Sequence, residues 1–167
     1  MRAALIAIVA LAGCGGAGHP PTPGSVTLGT AALDGTGFLP LEGDQPLVPG
    51  SQGGFHVWLK YRVSGMAPGR VEVKRTVRRV SDNHLLLQAD GTQDLGDETS
   101  GYWETPNAIP SFMCPSPIGV NIIDEPAVFD LVILDESGAK LGEATAEATA
   151  HCPDGDQAAF CQQICSG

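Results

Sequence analysis

The sequence has few basic and few aromatic side chains, and both shortages narrow the functions open to the protein. Of its 167 residues only 9 are Lys or Arg, against 19 Asp or Glu, so the formal net charge is −10, and aromatic residues make up 5%. Nucleic-acid binding depends on neutralising phosphates with Lys and Arg, so this balance argues against nucleic acid as a partner. Glycine and proline, by contrast, number 22 and 13, which is typical of a chain with many turns.

Recognised catalytic motifs are also missing from the sequence. It contains no G-x-S-x-G nucleophile elbow, no H-E-x-x-H metal helix and no phosphate-binding glycine loop. The glycine-rich stretch GSQGG at 50–54 leads into a predicted strand, whereas a phosphate site uses the N-terminus of a helix. We therefore expect no enzyme and no cofactor, but a module that binds a partner or has a structural role.

The apolar run near the N-terminus is too short to cross a membrane. It covers residues 3–11, whereas a spanning helix needs about 20 apolar residues. With Arg2 before it and the small residues Ala12 and Gly13 after it, the run is typical of an export signal. An ordinary secretory signal cut near Gly18 is one possible outcome of this pattern.

The motif LAGC, Leu11 to Cys14, indicates a second way in which the export signal could be processed, because it resembles the lipobox of bacterial lipoproteins. The resemblance implies a signal peptide of residues 1–13 and a mature chain that begins at an acylated Cys14. Three acyl chains hold far more firmly than a single chain, so the membrane would be a partner through the lipid anchor. No aspartate follows Cys14, and by the same resemblance this favours the outer membrane of the cell envelope.

The mature chain is then expected to contain a short tether and one domain. Residues 14–24 are rich in Gly and Pro, a composition that gives a flexible to semi-rigid linker. Residues 25–167 are long enough to bury one core. Seven of the nine basic residues lie between 60 and 79, whereas fifteen acids and one lysine follow residue 80. The basic residues form either a solvated face on adjacent strands or a patch for an anionic glycan or lipid headgroup.

Alternating side chains predict an all-β domain. In FHVWLKYRV, residues 55–63, apolar side chains at the odd positions alternate with His56, Trp58, Lys60 and Arg62, a period of two that does not fit a helix. Six further strands are predicted at 25–31, 70–80, 84–88, 119–124, 127–135 and 139–152. About seven short strands indicate an immunoglobulin-like β-sandwich. Arg75 interrupts the apolar alternation of its strand, which suggests a bulge or an edge, and residues 89–117 are expected to form one long loop.

The odd number of cysteines has a simple explanation if Cys14 is acylated. Cys114, Cys152, Cys161 and Cys165 then remain for two disulfides in an oxidising compartment. Cys161 and Cys165 lie four residues apart on a predicted short C-terminal helix, where their Cβ atoms would be too far apart to bond. Each should bond outward, and we slightly prefer 152–161 with 114–165. Zinc, redox and calcium sites are disfavoured, because the spacings that they need are incomplete.

Three side chains form the candidate ligand face: His56, Trp58 and Trp103. A surface tryptophan can mark a binding face, although Trp58 could equally be packed beneath the 89–117 loop. The expected partner is an envelope protein or glycan. The alternative function is metal binding or metal handling through His56, His84 or His151, without a defined metal site.

Two longer stretches resemble a group of uncharacterised exported bacterial proteins. They are LPLEGDQPLVPGSQGGFHVWLKYRV, and FMCPSPIGVNI followed by VFDLVILDESGAKLG. The resemblance covers most of residues 38–142 and implies an acidic β-sandwich in an exported protein. It brings no known activity, so it assigns no site residue.

Overall fold

The computed structural model describes residues 24–167. The predicted signal peptide, the LAGC motif with Cys14 and nearly all of the tether lie outside the described residues. In chain order the elements are β1 (Ser25–Thr30), β2 (Leu39–Pro40), β3 (Gly43–Pro46), β4 (Val48–Pro49), β5 (Phe55–Ser64), β6 (Gly69–Arg79), β7 (Leu85–Leu95), β8 (Trp103–Glu104), β9 (Ile109–Cys114), β10 (Pro126–Leu134), β11 (Lys140–His151) and α1 (Ala158–Cys165). Among the described residues no helix is long and apolar enough to cross a membrane.

Two sheets form a β-sandwich, which confirms the predicted all-β fold with a short C-terminal helix. In the first sheet the strand order is β2-β1-β5, and β4, β8 and β9 also pair with β5. The second sheet has the order β3-β11-β10-β6-β7. Seven of the strands have six or more residues, whereas β2, β3, β4 and β8 are edge segments of two to four residues.

The alternating apolar side chains of the central strands build the core. On β5 the odd positions from Phe55 to Val63 are at most 2% exposed, and the inner face of β10 from Ala127 to Ile133 is at most 3% exposed. The composition of the last long strand, β11, would also suit a helix, because the strand is rich in Ala and Glu. It pairs residue by residue with β10 from Thr149 to Gly142, so the predicted strand at 139–152 is confirmed, and it forms a hairpin with β10.

Both predicted disulfides are present, Cys114–Cys165 and Cys152–Cys161. The Cys161 and Cys165 Sγ atoms lie 3.7 Å apart without bonding to each other, as the helix geometry requires. The two bonds fasten α1 to the end of β9 and to the end of β11, and both helix cysteines are fully buried.

The sandwich has two different ends, which we name by what lies there. At the Gly24 pole the backbone N–H of Gly24 donates to the Leu141 carbonyl, and Ser25 pairs with Ser64. At the disulfide pole, the opposite end of the long strands, lie the start of β5, the start of β10, the end of β11 and α1. The Leu47 N–H donates to the His151 carbonyl there, and the Phe55 and Phe160 rings lie 5.9 Å apart.

Three local predictions were wrong. Residues 89–117 are not one loop, because β7 continues to Leu95 and β9 begins at Ile109. Residues 119–124 form a turn instead of a strand, in which consecutive Ile122 and Ile123 are both buried. Arg75 marks neither a bulge nor an edge, since it pairs in register with Leu131 and with Ala89. The register shift of that strand pair lies between Val77 and Arg78.

Candidate functional site

The even-numbered side chains of β5 lie on the outer face of the first sheet, as the alternation predicts. From the disulfide pole toward the Gly24 pole they are His56, Trp58, Lys60 and Arg62. His56 and Lys60 are each only 4% exposed, so this face is covered by other segments. The two halves of the row have different neighbours.

The Lys60–Arg62 half is a closed ion-pair network. Glu104 on β8 accepts from Lys60 Nζ at 2.6 Å and from Arg62 Nε at 2.8 Å. Partial burial raises the pKa of the Glu104 carboxyl, but the hydrogen bonds from Lys60 and Arg62 outweigh it and leave the pKa below its ordinary value. The Arg62 guanidinium is also held between two aromatic rings, 3.9 Å from the centroid of Phe38 and 4.3 Å from that of Tyr102. The Arg62 charge is therefore already paired with groups of the protein itself.

The segment 31–38 lies across the middle of the row. Trp58 Nε1 donates to the Leu33 carbonyl at 3.2 Å, and the tight turn at Gly35, with φ of 81°, passes close to the Trp58 ring. Phe38 occupies the space above Gly29. Trp58 is thus half-buried beneath 31–38, not beneath residues 89–117.

The His56 half is closed by aromatic side chains and by the β4–β5 turn, which passes close to the ring at Gly50. His56 pairs with Val48 on one side and with Phe112 on the other. Its ring lies 4.2 Å from that of Trp58 and 5.5 Å from that of Phe112. Neither imidazole nitrogen has a hydrogen-bond partner, and burial lowers the His56 pKa, so the ring is neutral at pH 7. Phe112 itself is 47% exposed.

Trp103 lies on the other face of the sheet. It pairs with Val63, whose side chain points into the core, and its ring centroid lies 5.8 Å from that of Tyr61. Directly paired residues in antiparallel strands share a face. The structure therefore brings His56 and Trp58 together and separates Trp103 from them.

The basic residues between 60 and 79 are divided between the two sheets. Lys60 and Arg62 lie on β5, and the other five lie on β6. Arg79 pairs with Asp82 at 2.6 Å and Lys74 with Glu72 at 3.5 Å. Arg75 points inward, where burial lowers its pKa. This division favours the interpretation as paired and solvated residues over one basic patch.

The three histidines of the alternative metal-binding hypothesis are not gathered into one site. His84 is exposed in the β6–β7 turn, and His151 lies between Asp44 and Asp124, with Nε2 2.9 Å from the Asp44 carboxylate. Within residues 24–167, the group of three His, Cys, Asp or Glu ligand atoms close enough for one ion is Cys152, Cys161 and Cys165. Those sulfurs are already in disulfides.

Sequence reasoning missed three aromatic residues of this face. Phe38 and Tyr102 come from loops without periodicity, and Phe112 lies on β9, in a stretch that the sequence analysis treated as loop. The signal that could have found Phe112 is its place two residues before Cys114, because the disulfide of Cys114 fixes the end of that segment to α1. Together these residues provide a surface for contact, with no nucleophile and base in contact among them.

No protein-family model and no curated protein matches this chain. Among solved structures, a β-glucuronidase of Bacteroides uniformis is 12% identical with a TM-score of 0.40, over 74% of this chain and 13% of its own. The B. uniformis β-glucuronidase 2 bound covalently to cyclophellitol-6-carboxylate aziridine is 15% identical with a TM-score of 0.36, over 67% of this chain and 15% of its own. This chain spans about a seventh of the length of these structures. Similarity this loose assigns neither a family nor an activity.

Proposed function

We propose that the protein is a lipid-anchored lipoprotein of the cell envelope, a non-enzymatic module that binds an envelope protein or glycan at its disulfide pole. The observation that carries this proposal is the placement of exposed apolar side chains. Seven large apolar residues are exposed in the described part of the chain. Six of them lie at the disulfide pole: Val80 and Leu85 beside the β6–β7 turn, Phe112 and Ile118 beside Cys114, Phe160 on α1, and Leu33 in a groove with His151 and Cys152.

The opposite pole suits a membrane tether. The described residues start at Gly24, which is fixed to Leu141 at the Gly24 pole. An extended tether of residues 15–23 would reach about 30 Å. The twelve residues of β11 extend about 40 Å from that pole to the other. A chain anchored at Cys14 would therefore present the disulfide pole away from the lipid.

Exposed apolar side chains that cluster at one end are a feature of interaction surfaces. Two disulfides agree with an exported protein, because such bonds persist in oxidising compartments. The sequence supplies the remaining support: the export signal, the LAGC motif and the lack of catalytic motifs.

The anchor is tested by metabolic labelling with palmitate and by intact mass, comparing the natural sequence with Cys14→Ser. We expect the natural chain to begin at an acylated Cys14 and the Cys14→Ser chain to carry no label. An unlabelled natural chain with an unmodified mass would contradict the anchor.

The binding surface is tested separately, by co-sedimentation of the purified protein with isolated cell envelopes. We expect Phe112→Ala to weaken co-sedimentation at least fivefold in a chain that carries Cys14→Ser, so that the lipid does not contribute. Leu39→Ala, at an exposed apolar residue on β2, is the matched control. Equal retention of both variants would contradict binding at the disulfide pole.

A further inference from the structure

The buried imidazole of His56 points to a ligand that the resting structure does not supply. The side chain is 4% exposed and both ring nitrogens lack a partner. A buried polar atom without a partner costs stability, and such atoms in native proteins call for an explanation. An apolar side chain of similar size would fill this position between Trp58 and Phe112 more favourably. The selection of histidine here therefore favours a function for its nitrogens.

Two of the groups that cover the imidazole are the Phe112 ring and the β4–β5 turn. The Phe112 ring, 47% exposed, closes one side, and exposed side chains rotate on the ps–ns timescale. The β4–β5 turn closes another side through Gly50, where an added Cβ would lie 3.3 Å from Phe112 Cε1 and 3.5 Å from His56 Nδ1. Rotation of Phe112 would open a small cleft with the imidazole at its base and the Trp58 ring as a wall.

The chemistry of this cleft favours a hydroxyl-bearing ligand. A neutral imidazole offers one donor and one acceptor on two nitrogens that point in different directions, and two hydroxyl groups of one polyol can satisfy them, one accepting from the N–H and the other donating to the bare nitrogen. An anion would need further donors, but Lys60 and Arg62 on the same face are both paired with Glu104. Aromatic faces carry negative potential, and the C–H faces of a pyranose ring are apolar and slightly positive. Aromatic walls with a few polar groups are the usual composition of a small-molecule site.

We infer that the site formed by His56, Trp58 and Phe112 binds a neutral saccharide unit, with a sugar ring against Phe112 and a sugar hydroxyl hydrogen-bonded to the His56 imidazole. This inference rests on the proposed function for its location at the disulfide pole, and it chooses glycan over protein as the ligand. It does not depend on the lipid anchor.

The test uses the mature protein in a detergent without a sugar headgroup. The probes are neutral oligosaccharides of N-acetylglucosamine and of mannose, with oligogalacturonate as the anionic comparison. Binding is followed by tryptophan fluorescence and by the ¹⁵N shifts of the imidazole. We expect a saturable change with at least one neutral probe, at least tenfold tighter than with oligogalacturonate, and a shift of both His56 ring nitrogens.

Two variants distinguish a ligand site from a packing defect. His56→Phe removes the unpartnered nitrogens, so it should raise the unfolding midpoint while it weakens saccharide binding at least tenfold. Ser111→Ala is the matched control, because Ser111 is also fully buried with an unpartnered hydroxyl but lies on the core face of β9. It should raise the midpoint and leave binding unchanged.

The inference is overturned if no neutral probe gives a saturable change, if oligogalacturonate binds as tightly, or if His56→Phe binds as well as the natural chain. These failures would leave the anchor and a protein-binding pole standing. Conversely, absence of palmitate label from the natural chain would contradict the anchor and leave saccharide binding untouched.

Discussion

At the scale of single residues, the outer face of β5 depends on one carboxylate. Glu104 partners both Lys60, which is buried, and Arg62. A buried charge that loses its partner is strongly destabilising, since the remaining ion stays desolvated, whereas an exposed pair contributes little. The sequence predicts that Lys60 and Arg62 share a face, but it does not reveal a partner that lies about forty residues away in a loop without periodicity.

We therefore expect Glu104→Gln to lower the free energy of unfolding by about 2–4 kcal/mol, because it leaves the Lys60 ammonium buried and unpaired. Glu143→Gln breaks the exposed pair with Lys140, whose side chains are 53% and 61% exposed, and should change stability by less than about 0.5 kcal/mol. Urea unfolding followed by circular dichroism measures both. A Glu104→Gln effect no larger than that of Glu143→Gln would show that the network is not stabilising.

His151 and His56 should make the stability of the folded protein depend on pH in opposite directions. The Asp44 carboxylate beside Nε2 raises the His151 pKa, partial burial opposes it, and the hydrogen bond between Nδ1 and Asp124 raises it further. Asp154 lines the surface groove that contains Asp44 and His151. The stabilising contribution of His151 is fully present below its pKa in the unfolded chain, about 6.5, and is lost as the pH rises through its pKa in the folded protein. Burial lowers the His56 pKa, so His56 instead reduces stability as pH falls below about 6.5.

The test compares urea midpoints at pH 6 and above pH 8. The His151 contribution is lost over this range, so the natural chain should become less stable relative to His151→Gln, in which the remaining His56 contribution favours the higher pH. His84→Gln, at an exposed histidine in a turn, should follow the natural chain. If His151→Gln showed the same change in midpoint between the two pH values as the natural chain, the Asp44–His151–Asp124 contacts would not contribute to the pH dependence.

At the scale of elements, prediction succeeded where apolar and polar side chains alternate along a strand and failed where they do not. β5 and β11 show a clean period of two, because one face of each supplies side chains to the core, although the outer face of β5 is also covered. The second half of β7, ADGTQDL, is polar on both faces because it lies at the edge of its sheet. Residues 119–124 have an apolar composition typical of a strand, but two adjacent isoleucines are buried in a turn beside α1. Local pattern cannot distinguish these cases, since tertiary contacts decide them.

The β1–β5 ladder has a close approach that only glycine permits. A Cβ at Gly29 would lie 2.5 Å from Phe38 Cζ and 2.7 Å from the Leu39 carbonyl oxygen, so Gly29→Ala must displace the 31–38 segment or β2. Overpacking of this kind typically costs about 1–3 kcal/mol. Gly91 in β7 has no neighbour within 4 Å of an added Cβ, and Gly91→Ala should be neutral or slightly stabilising. Thermal unfolding measures both, and equal midpoints would show that Phe38 is not held as described.

At the scale of the whole molecule, the cysteines and the two poles form one arrangement. The chain length, the predicted export signal and the even set of four cysteines predict an exported domain that contains two disulfides. Helix geometry then predicts which cysteines cannot bond to each other, and the structure confirms both pairs. What the sequence cannot show is that β4, β9 and α1 meet at one end. That end gathers Phe112, Ile118 and Phe160 only because pairing and disulfides bring three distant segments together.

This polarity predicts how an anchored protein is oriented. Ala67 lies exposed in the β5–β6 loop at the Gly24 pole, and Ile118 is fully exposed at the disulfide pole. With a fluorophore on Ala67→Cys or Ile118→Cys, in vesicles containing a headgroup quencher, we expect stronger quenching at position 67. The poles are about 40 Å apart, as the length of β11 requires, which exceeds the range of contact quenching. Intact mass must first show that both disulfides have formed in each variant. Stronger quenching at position 118 would mean that the disulfide pole faces the lipid, and binding there would have to involve the membrane itself.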